Sequence, residues 1–272
     1  MTPFWKAHRA LDAIARWPGV STMLERRFDR RFASNTRSNL FRGRYATFEA
    51  AARASPSNRP VGYDNEAAAA MYDERAARLH ATDYPVLFWL QQLFAQGKRS
   101  VFDLGGHVGV SYYAYRRVLA YPPGLTWTVC DVPAVIARGR TLAGERDPAR
   151  ALGFTDRFEG ADGADILLAM GSLQYLPETL AERLSTLVRT PRHLLLNITP
   201  LHEHESFFTL QGIGTAYCPY RITARGEFLG SLAALGYELV DQWENPDKRC
   251  EIAFDPGHSI EGYCGFHLER RP

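Results

Sequence analysis

The chain is predicted to fold as α/β, with a mainly parallel sheet flanked by helices, an antiparallel edge at its C-terminal end and a helical N-terminal extension. Three observations carry that expectation. From residue 100 onward, short apolar runs alternate with helical patterns, the periodicity of successive strand–helix–strand units. After Gly236, strand patterns follow one another without an intervening helix, as an antiparallel edge requires. Before residue 60, apolar residues recur at helical spacing in a stretch carrying 12 Lys/Arg against 4 Asp/Glu.

Leu11, Ile14 and Ala15 share one helical face, and Leu24, Phe28 and Phe32 recur every four residues. Trp17-Pro18-Gly19 divides them into two amphipathic helices. Such a basic segment suits an anionic membrane surface or docking on the main domain; membrane-surface helices carry a stronger apolar face, which favours docking. Ser55-Pro-Ser-Asn-Arg-Pro60 is a loop by composition. A helix over 65–80 would turn Met71, Tyr72 and Leu79 inward. Asp83-Tyr84-Pro85 opens the next helix, whose stripe is Leu87, Leu90, Leu93 and Phe94 and whose stop is Gly97. Residues 1–97 therefore form a helical extension, a candidate lid, and residues 98–272 the sheet domain. In that domain strands are expected at 100–104, 126–131, 152–158, 164–170 and 193–198, with helices at 111–120, 134–143, 177–189 and 225–235. Strands at 236–243, 250–254 and 262–268 close the chain.

Composition narrows the class. With 272 residues, 46% hydrophobic and 23% charged, and a net charge of +2, the chain is globular rather than disordered. It also lacks the global positive field of a nucleic-acid coat, so no nucleic-acid partner is expected. Cys130, Cys218, Cys250 and Cys264 lie far apart without a C-x-x-C pair, so neither a zinc site nor a disulfide framework is signalled. No apolar run reaches the length of a signal peptide or membrane span. The expectation is a soluble protein of the cytoplasm, without stable membrane insertion. Its oligomeric state has no sequence signal.

Ser100-Val-Phe-Asp103-Leu-Gly105-Gly106-His107-Val-Gly109 is the most informative stretch: an apolar strand runs into a glycine turn, and a helix follows. Glycines there allow positive φ and close approach of a ligand, while the helix start offers free N–H groups. The next strand ends in Asp131, where a carboxylate can accept both hydroxyls of an adenosine ribose. A dinucleotide fingerprint needs G-x-G-x-x-G, and Leu104 stands where its first Gly belongs. An acid before the turn, Asp103, instead suits a ligand with an amino-acid portion: the carboxylate meets its ammonium group, directly or through water. S-adenosylmethionine combines that amino acid with a ribose, and nicotinamide cofactors do not.

With these residues in view, the chain resembles the class I S-adenosylmethionine-dependent methyltransferases. More narrowly it is similar to a bacterial methyltransferase-type family with Phe41-Arg-Gly43-Arg-Tyr45, Gly62-Tyr63-Asp64, the glycine turn, Leu173-Gln174-Tyr175-Leu176 and Pro219-Tyr220-Arg221. The resemblance spans roughly residues 40–245. It implies a Rossmann-like, seven-stranded sheet with an antiparallel last strand. It also implies that Asp103, Gly105, Gly106 and Gly109 hold the methionine part, that Asp131 holds the ribose, and that Gly171, Ser172 and Gln174 line the site beneath the sulfonium. Tyr63 and Val132 complete the expected cofactor-binding set. Many members of the family carry an Asp-Arg-Thr-Pro-like end to the fifth strand, whereas this chain has Asn197-Ile-Thr-Pro200, which leaves the acceptor open.

The faces of Tyr and Phe can stabilise a sulfonium without attacking it. Candidate pocket aromatics are Tyr63, Tyr72, Tyr112, Tyr113, Tyr175, Phe207, Phe208, Tyr217 and Tyr220, with Tyr175 placed best because it follows the strand end facing the cofactor. Leu201-His202-Glu203-His204-Glu205 lies just past the fifth strand: His202 or His204 could act as a base, the pair could bind a metal, or the segment is a polar loop. No metal site is expected. Two reactions fit: methyl transfer to a small metabolite or glycan hydroxyl, and cyclisation of the cofactor itself, since the chain also resembles azetidine-2-carboxylate synthases. In the second, S-adenosylmethionine is the only substrate, and Tyr175 and Asn197 would orient its amine. A non-catalytic binding module of the same fold is a third reading. Expected catalytic residues are thus Tyr175, Asn197 and His204.

Overall fold

The computed structural model describes residues 18–34, 39–62, 64 and 78–271. The helix expected around Leu11, most of that expected over 65–80, and Tyr63 and Tyr72 lie outside the described residues. Strands run at Leu40–Tyr45 (β1), Ser100–Leu104 (β2), Thr126–Cys130 (β3), Leu152–Thr155 (β4), Ile166–Met170 (β5), His193–Thr199 (β6), Leu201–His202 (β7), Phe207–Gly212 (β8), Tyr217–Ala224 (β9), Tyr237–Asn245 (β10) and Tyr263–Arg270 (β11).

Seven of these form one sheet in the order β10-β11-β6-β5-β2-β3-β4. The strands from β6 to β4 pair in parallel, and β11 enters antiparallel between β6 and β10. This is the α/β sheet with an antiparallel late strand that the resemblance implied. Helices cover both faces, so β5 and β6 are buried on both sides and read as nearly continuous apolar runs. Alternation divides their side chains between two layers. Ile166, Leu168 and Leu195 join Leu90, Leu93 and Trp127 on one face, while Leu167, Leu194 and Leu196 join Phe102, Phe228 and Leu232 on the other.

The helix Tyr84–Ala95 carries the expected stripe and ends where expected. Gly97 takes φ 85°; its N–H donates to Phe94 O, and the N–H of Lys98 to Leu93 O, each at 3.0 Å. That double bond satisfies two terminal carbonyls, and the left-handed residue it needs is cheapest as glycine. The N-terminal helix Pro18–Ser34 docks rather than standing free. Phe28 and Phe32 pack on Phe254 and Tyr217, with ring centroids 5.7 and 5.3 Å apart, and the Tyr217 hydroxyl donates to Phe32 O.

A second sheet, β1-β8-β9-β7, was not expected. It corrects the picture of a purely helical N-terminal extension, because β1 pairs antiparallel with β8. Strands β8 and β9 are buried at nearly every position, so they lack the alternation that marks a half-exposed strand, and Pro219 interrupts the second. Elsewhere the helices are shorter than their patterns, Val110–Tyr115 and Leu180–Leu184. Residues 250–254 make isolated bridges to Phe41 and Ile260 rather than a strand.

Candidate functional site

At the C-terminal end of β2 the chain turns through three glycines, each held for its own reason. Gly105 has φ 71°, and a Cβ there would lie 2.3 Å from that of Ser172. Gly106 would place a Cβ 2.4 Å from Asp103 Oδ2. Gly109 has φ 91° and begins the helix Val110–Tyr115. Between them His107 adopts φ 55°, and its backbone N–H donates to Asp131 Oδ2 at 2.9 Å. The other oxygen of Asp131 accepts the N–H of Val132 at 2.8 Å. Two backbone donors thus fix this carboxylate beside the turn. Burial raises its pKa, and those donors pull it back. Asp64 sits nearby, accepting the N–H of Ala134 at 3.1 Å, so the Gly-Tyr-Asp segment ties the N-terminal part of the chain to the start of the following helix.

Asp103 lies one layer behind the turn, wholly buried. The indole N–H of Trp127 donates to its Oδ2 at 3.1 Å, while Oδ1 has no protein partner. Burial lifts its pKa to about 7, the Trp127 bond opposes the shift, and the neighbouring Asp131 adds to it. At the ends of β5 and β6, Gly171 has φ 77° and donates its N–H to Asn197 O at 2.9 Å. Ser172 Oγ donates to Leu104 O at 2.5 Å, stitching this loop to β2. Gln174 is buried; its Nε2 donates to Gly171 O at 2.8 Å, and its Oε1 has no protein partner.

These groups surround a cavity of about 1110 Å³. Gly105, Gly106, Asp131, Val132, Gly171, Ser172, Gln174 and Tyr175 all line it, so most of the expected cofactor-binding residues are brought together. Asp103 and Gly109 shape the turn from behind. The opposite wall comes from the second sheet and the segment 247–251. There the Tyr175 hydroxyl donates to Gln211 Oε1 at 2.9 Å, and Gln211 Nε2 donates to Asn39 Oδ1 at 3.0 Å. Tyr220 donates to the Tyr263 hydroxyl at 2.8 Å, and the rings of Tyr175 and Tyr220 meet edge-on at 5.2 Å. Asn39, Gln211 and Tyr263 went unread in the sequence, because nothing local marks residues gathered from three distant segments. Asp64 did carry a signal, its place in the Gly-Tyr-Asp segment.

Two expected catalytic residues are not brought to the cavity. Asn197 is wholly buried. Its Nδ2 donates to Thr82 O at 2.7 Å, and its Oδ1 accepts from Trp243 Nε1 and Asn245 Nδ2, each at 2.9 Å. These bonds use one N–H and both lone pairs of the amide, so it joins β6 to its surroundings. His204 lies on an exposed loop. Its neighbour His202 has Nδ1 accepting the N–H groups of His204 and Glu205 and Nε2 facing Gly257 O, so that ring organises the loop. Among the described residues no group of three His, Cys, Asp or Glu could hold a metal ion. Of the candidate aromatics, Tyr175 and Tyr220 line the cavity. Tyr112, Tyr113, Phe207, Phe208 and Tyr217 are core residues. Among the described residues, no helix is long and apolar enough to cross a membrane.

Comparison with protein-family models and with curated proteins returns no match. Among solved structures, the chain is similar to the Burkholderia thailandensis 1,6-didemethyltoxoflavin-N1-methyltransferase with bound S-adenosylhomocysteine. The identity is 16%, over 71% of this chain and 79% of that one, with a TM-score of 0.45. It is also similar to the Synechocystis magnesium protoporphyrin IX methyltransferase with bound S-adenosylmethionine, at 15% identity over 70% and 78% and a TM-score of 0.44. A glycopeptide N-methyltransferase matches at 13% identity over 67% and 93%, with a TM-score of 0.43. Likeness at this level leaves the functional reading to the chain's own residues.

Proposed function

We propose that the chain is an S-adenosylmethionine-dependent methyltransferase acting on a small molecule. The observation that carries this reading is the cavity's two unlike halves. One is built from the glycine turn, Asp131 and the Gly171–Tyr175 loop; the other is walled by the second sheet. Pockets that hold one drug-sized ligand measure about 300–1,000 Å³; at about 1110 Å³ this cavity slightly exceeds that range, in keeping with a small second substrate beside a nucleoside cofactor.

The residues suit that cofactor. Asp131 keeps lone pairs for a ribose, since each oxygen spends only one on the backbone. Gln174 lines the cavity, and Asp103, one layer behind the turn, sets a carboxyl within electrostatic reach of a ligand ammonium. When bound, S-adenosylmethionine supplies an activated methyl group on sulfur. The protein's part is to hold the nucleophile in line with it and to keep water away, and positioning of that kind supplies much of the rate. Tyr175, anchored through Gln211 to Asn39, has its ring fixed between the two halves and orients the acceptor. Cyclisation of the cofactor calls for a closed pocket fitted to one molecule, and it would draw on Asn197, whose amide is already engaged. A cavity with two unlike walls favours transfer.

The deciding experiment incubates purified protein with S-adenosylmethionine, first alone and then with a panel of small hydroxyl and amine acceptors, with products resolved by mass spectrometry. Acceptor-dependent S-adenosylhomocysteine is the expected outcome. Methylthioadenosine formed without any acceptor would establish cyclisation instead. Tight binding with no turnover across the panel would favour a binding module.

A further inference from the structure

We propose that Ile198 is a specificity-determining residue: its side chain closes the cavity beside the cofactor's sulfur, so that a methyl group fits there and larger sulfur substituents do not. The inference rests on the cofactor reading above. In that reading Asp131, after β3, takes the ribose, and the glycine turn after β2 takes the amino-acid portion. Sulfur joins those two portions. The next strands in the sheet are β5 and β6, parallel to β2, so the Gly171–Tyr175 loop and Ile198 come to the same end. Both line the cavity, and the third substituent on sulfur is left to face them.

Ile198 is the last residue but one of β6, half-buried, with φ 55°. The left-handed region is cheap for glycine and costly for a β-branched residue. Strain of this kind persists where the surrounding structure over-determines it, and it clusters at functional sites. Here it comes from the bulge against β11, where two residues of β6 face Gly265. Bulges next to active sites re-aim side chains, and this one brings the isoleucine to the cavity while Asn197 is wholly buried. A glycine at 198 would make the same bulge without strain. What the isoleucine adds is its side chain.

That side chain stands between the two halves of the cavity. On one side, a Cβ placed on Gly171 would lie 3.3 Å from both Cβ and Cγ2 of Ile198, so the isoleucine is packed against the loop of the cofactor half. On the other side it packs, as Tyr175 does, against the cluster that holds Phe41, Tyr220 and Tyr263 in the opposite wall. A branched apolar group is stiff at χ1, and contacts on both sides fix this one further. It has no polar atom to attack a sulfonium. An extra methylene in an apolar pocket changes binding by about tenfold to two-hundredfold, so a stiff wall at this junction discriminates between sulfur substituents that differ by a few carbons.

Calorimetry without any acceptor tests this, using S-adenosylmethionine and the analogue in which S-benzyl replaces S-methyl, titrated into wild type, Ile198→Ala and Ile198→Gly. Wild type should bind the S-benzyl ligand about tenfold or more weakly than the S-methyl one, and in both variants that ratio should fall below about threefold. Because the ratio compares two ligands of one protein, it does not depend on the folded fraction of a variant. The same ratio in all three proteins would overturn the inference, and so would a wild type that binds the two ligands equally. Either result leaves the cofactor reading standing. Loss of both ligands by both variants would give Ile198 a structural role and overturn the inference as well. Failure of the wild type to bind S-adenosylmethionine and S-adenosylhomocysteine would overturn both readings.

Discussion

Gly106 illustrates how tightly the turn is specified at the level of single residues. Its backbone does not require positive φ; the constraint is the Asp103 carboxylate, 2.4 Å from where a Cβ would be. Gly106→Ala should therefore push Asp103 or the turn outward, costing about 1–3 kcal/mol of stability and most of the affinity for S-adenosylhomocysteine, measurable by denaturation and calorimetry. Asp103 makes a sharper prediction. With its pKa raised to about 7 by burial, the empty site holds a largely neutral carboxyl at mildly acidic pH. An ammonium beside it favours the carboxylate, so binding below about pH 7 should release a proton, and affinity should rise with pH up to that point. At higher pH the ligand's own α-amine loses its proton, and affinity should fall again. Titrations in buffers of different ionisation enthalpy would show the released proton. Asp103→Asn should abolish the acidic limb; an unchanged limb would mean that another group meets the amine. Asp131→Ala removes the ribose acceptor and should abolish binding. Unchanged affinity in that variant would sink the assignment.

Strand β6 shows at the level of the element why a strand-end residue can be read correctly in position and wrongly in role. Its pairing with β11 runs Leu196 to Phe266 and then Thr199 to Cys264, so Asn197 and Ile198 together face Gly265. That bulge needs Ile198 in the left-handed region, φ 55°, a strained state for a β-branched residue. The extra residue re-aims the side chains: Ile198 lines the cavity, and Asn197 turns toward Thr82, Trp243 and Asn245. Asn197→Ala would strand two donors and a carbonyl. At about 1–3 kcal/mol for each unsatisfied buried group, the three together imply a stability loss of about 3 kcal/mol or more, read as a lower urea midpoint with an unchanged slope. Affinity for S-adenosylhomocysteine should fall less than about tenfold while the variant stays folded; abolition of binding would restore a direct role. The contrast with the glycine turn explains what was legible. Asp103 to Gly109 and Asp131 announce themselves because strand end, positive φ and helix start are encoded within a few contiguous residues. The bulge and the second sheet depend on pairings between distant segments, such as β1 with β8, that leave no periodicity. The acceptor wall inherits that illegibility.

For the whole molecule, pH dependence arises from opposed groups at opposite ends of the sheet. At the edge away from the cavity, His193 on β6 and His267 on β11 are buried side by side, with ring nitrogens 3.4 Å apart and the Trp89 ring tilted against His267 at 4.2 Å between centroids. Burial lowers the His267 pKa to about 4, helped by the neighbouring imidazole, and burial also lowers that of His193. Below the ordinary value near 6.5 the unfolded chain binds protons that these native rings refuse, so the pair makes stability fall as pH drops toward about 4. Asp103 acts with the opposite sign over much the same range. Its native pKa of about 7 lies above its ordinary 3.8, so the native state binds the extra proton and gains stability as pH falls. Asp131, also raised by burial, adds to that gain. The two ends therefore oppose each other below about pH 7, each tempering the other's effect on the apo protein's melting temperature. Asp103→Asn should expose a slope toward acid lability, and His267→Phe one of the reverse sign. Because a bound ammonium holds Asp103 ionised, saturating S-adenosylhomocysteine should acid-sensitise the wild type in the same direction as Asp103→Asn. Parallel pH–melting profiles for the apo and liganded wild type would contradict the coupling of that carboxylate to the ligand.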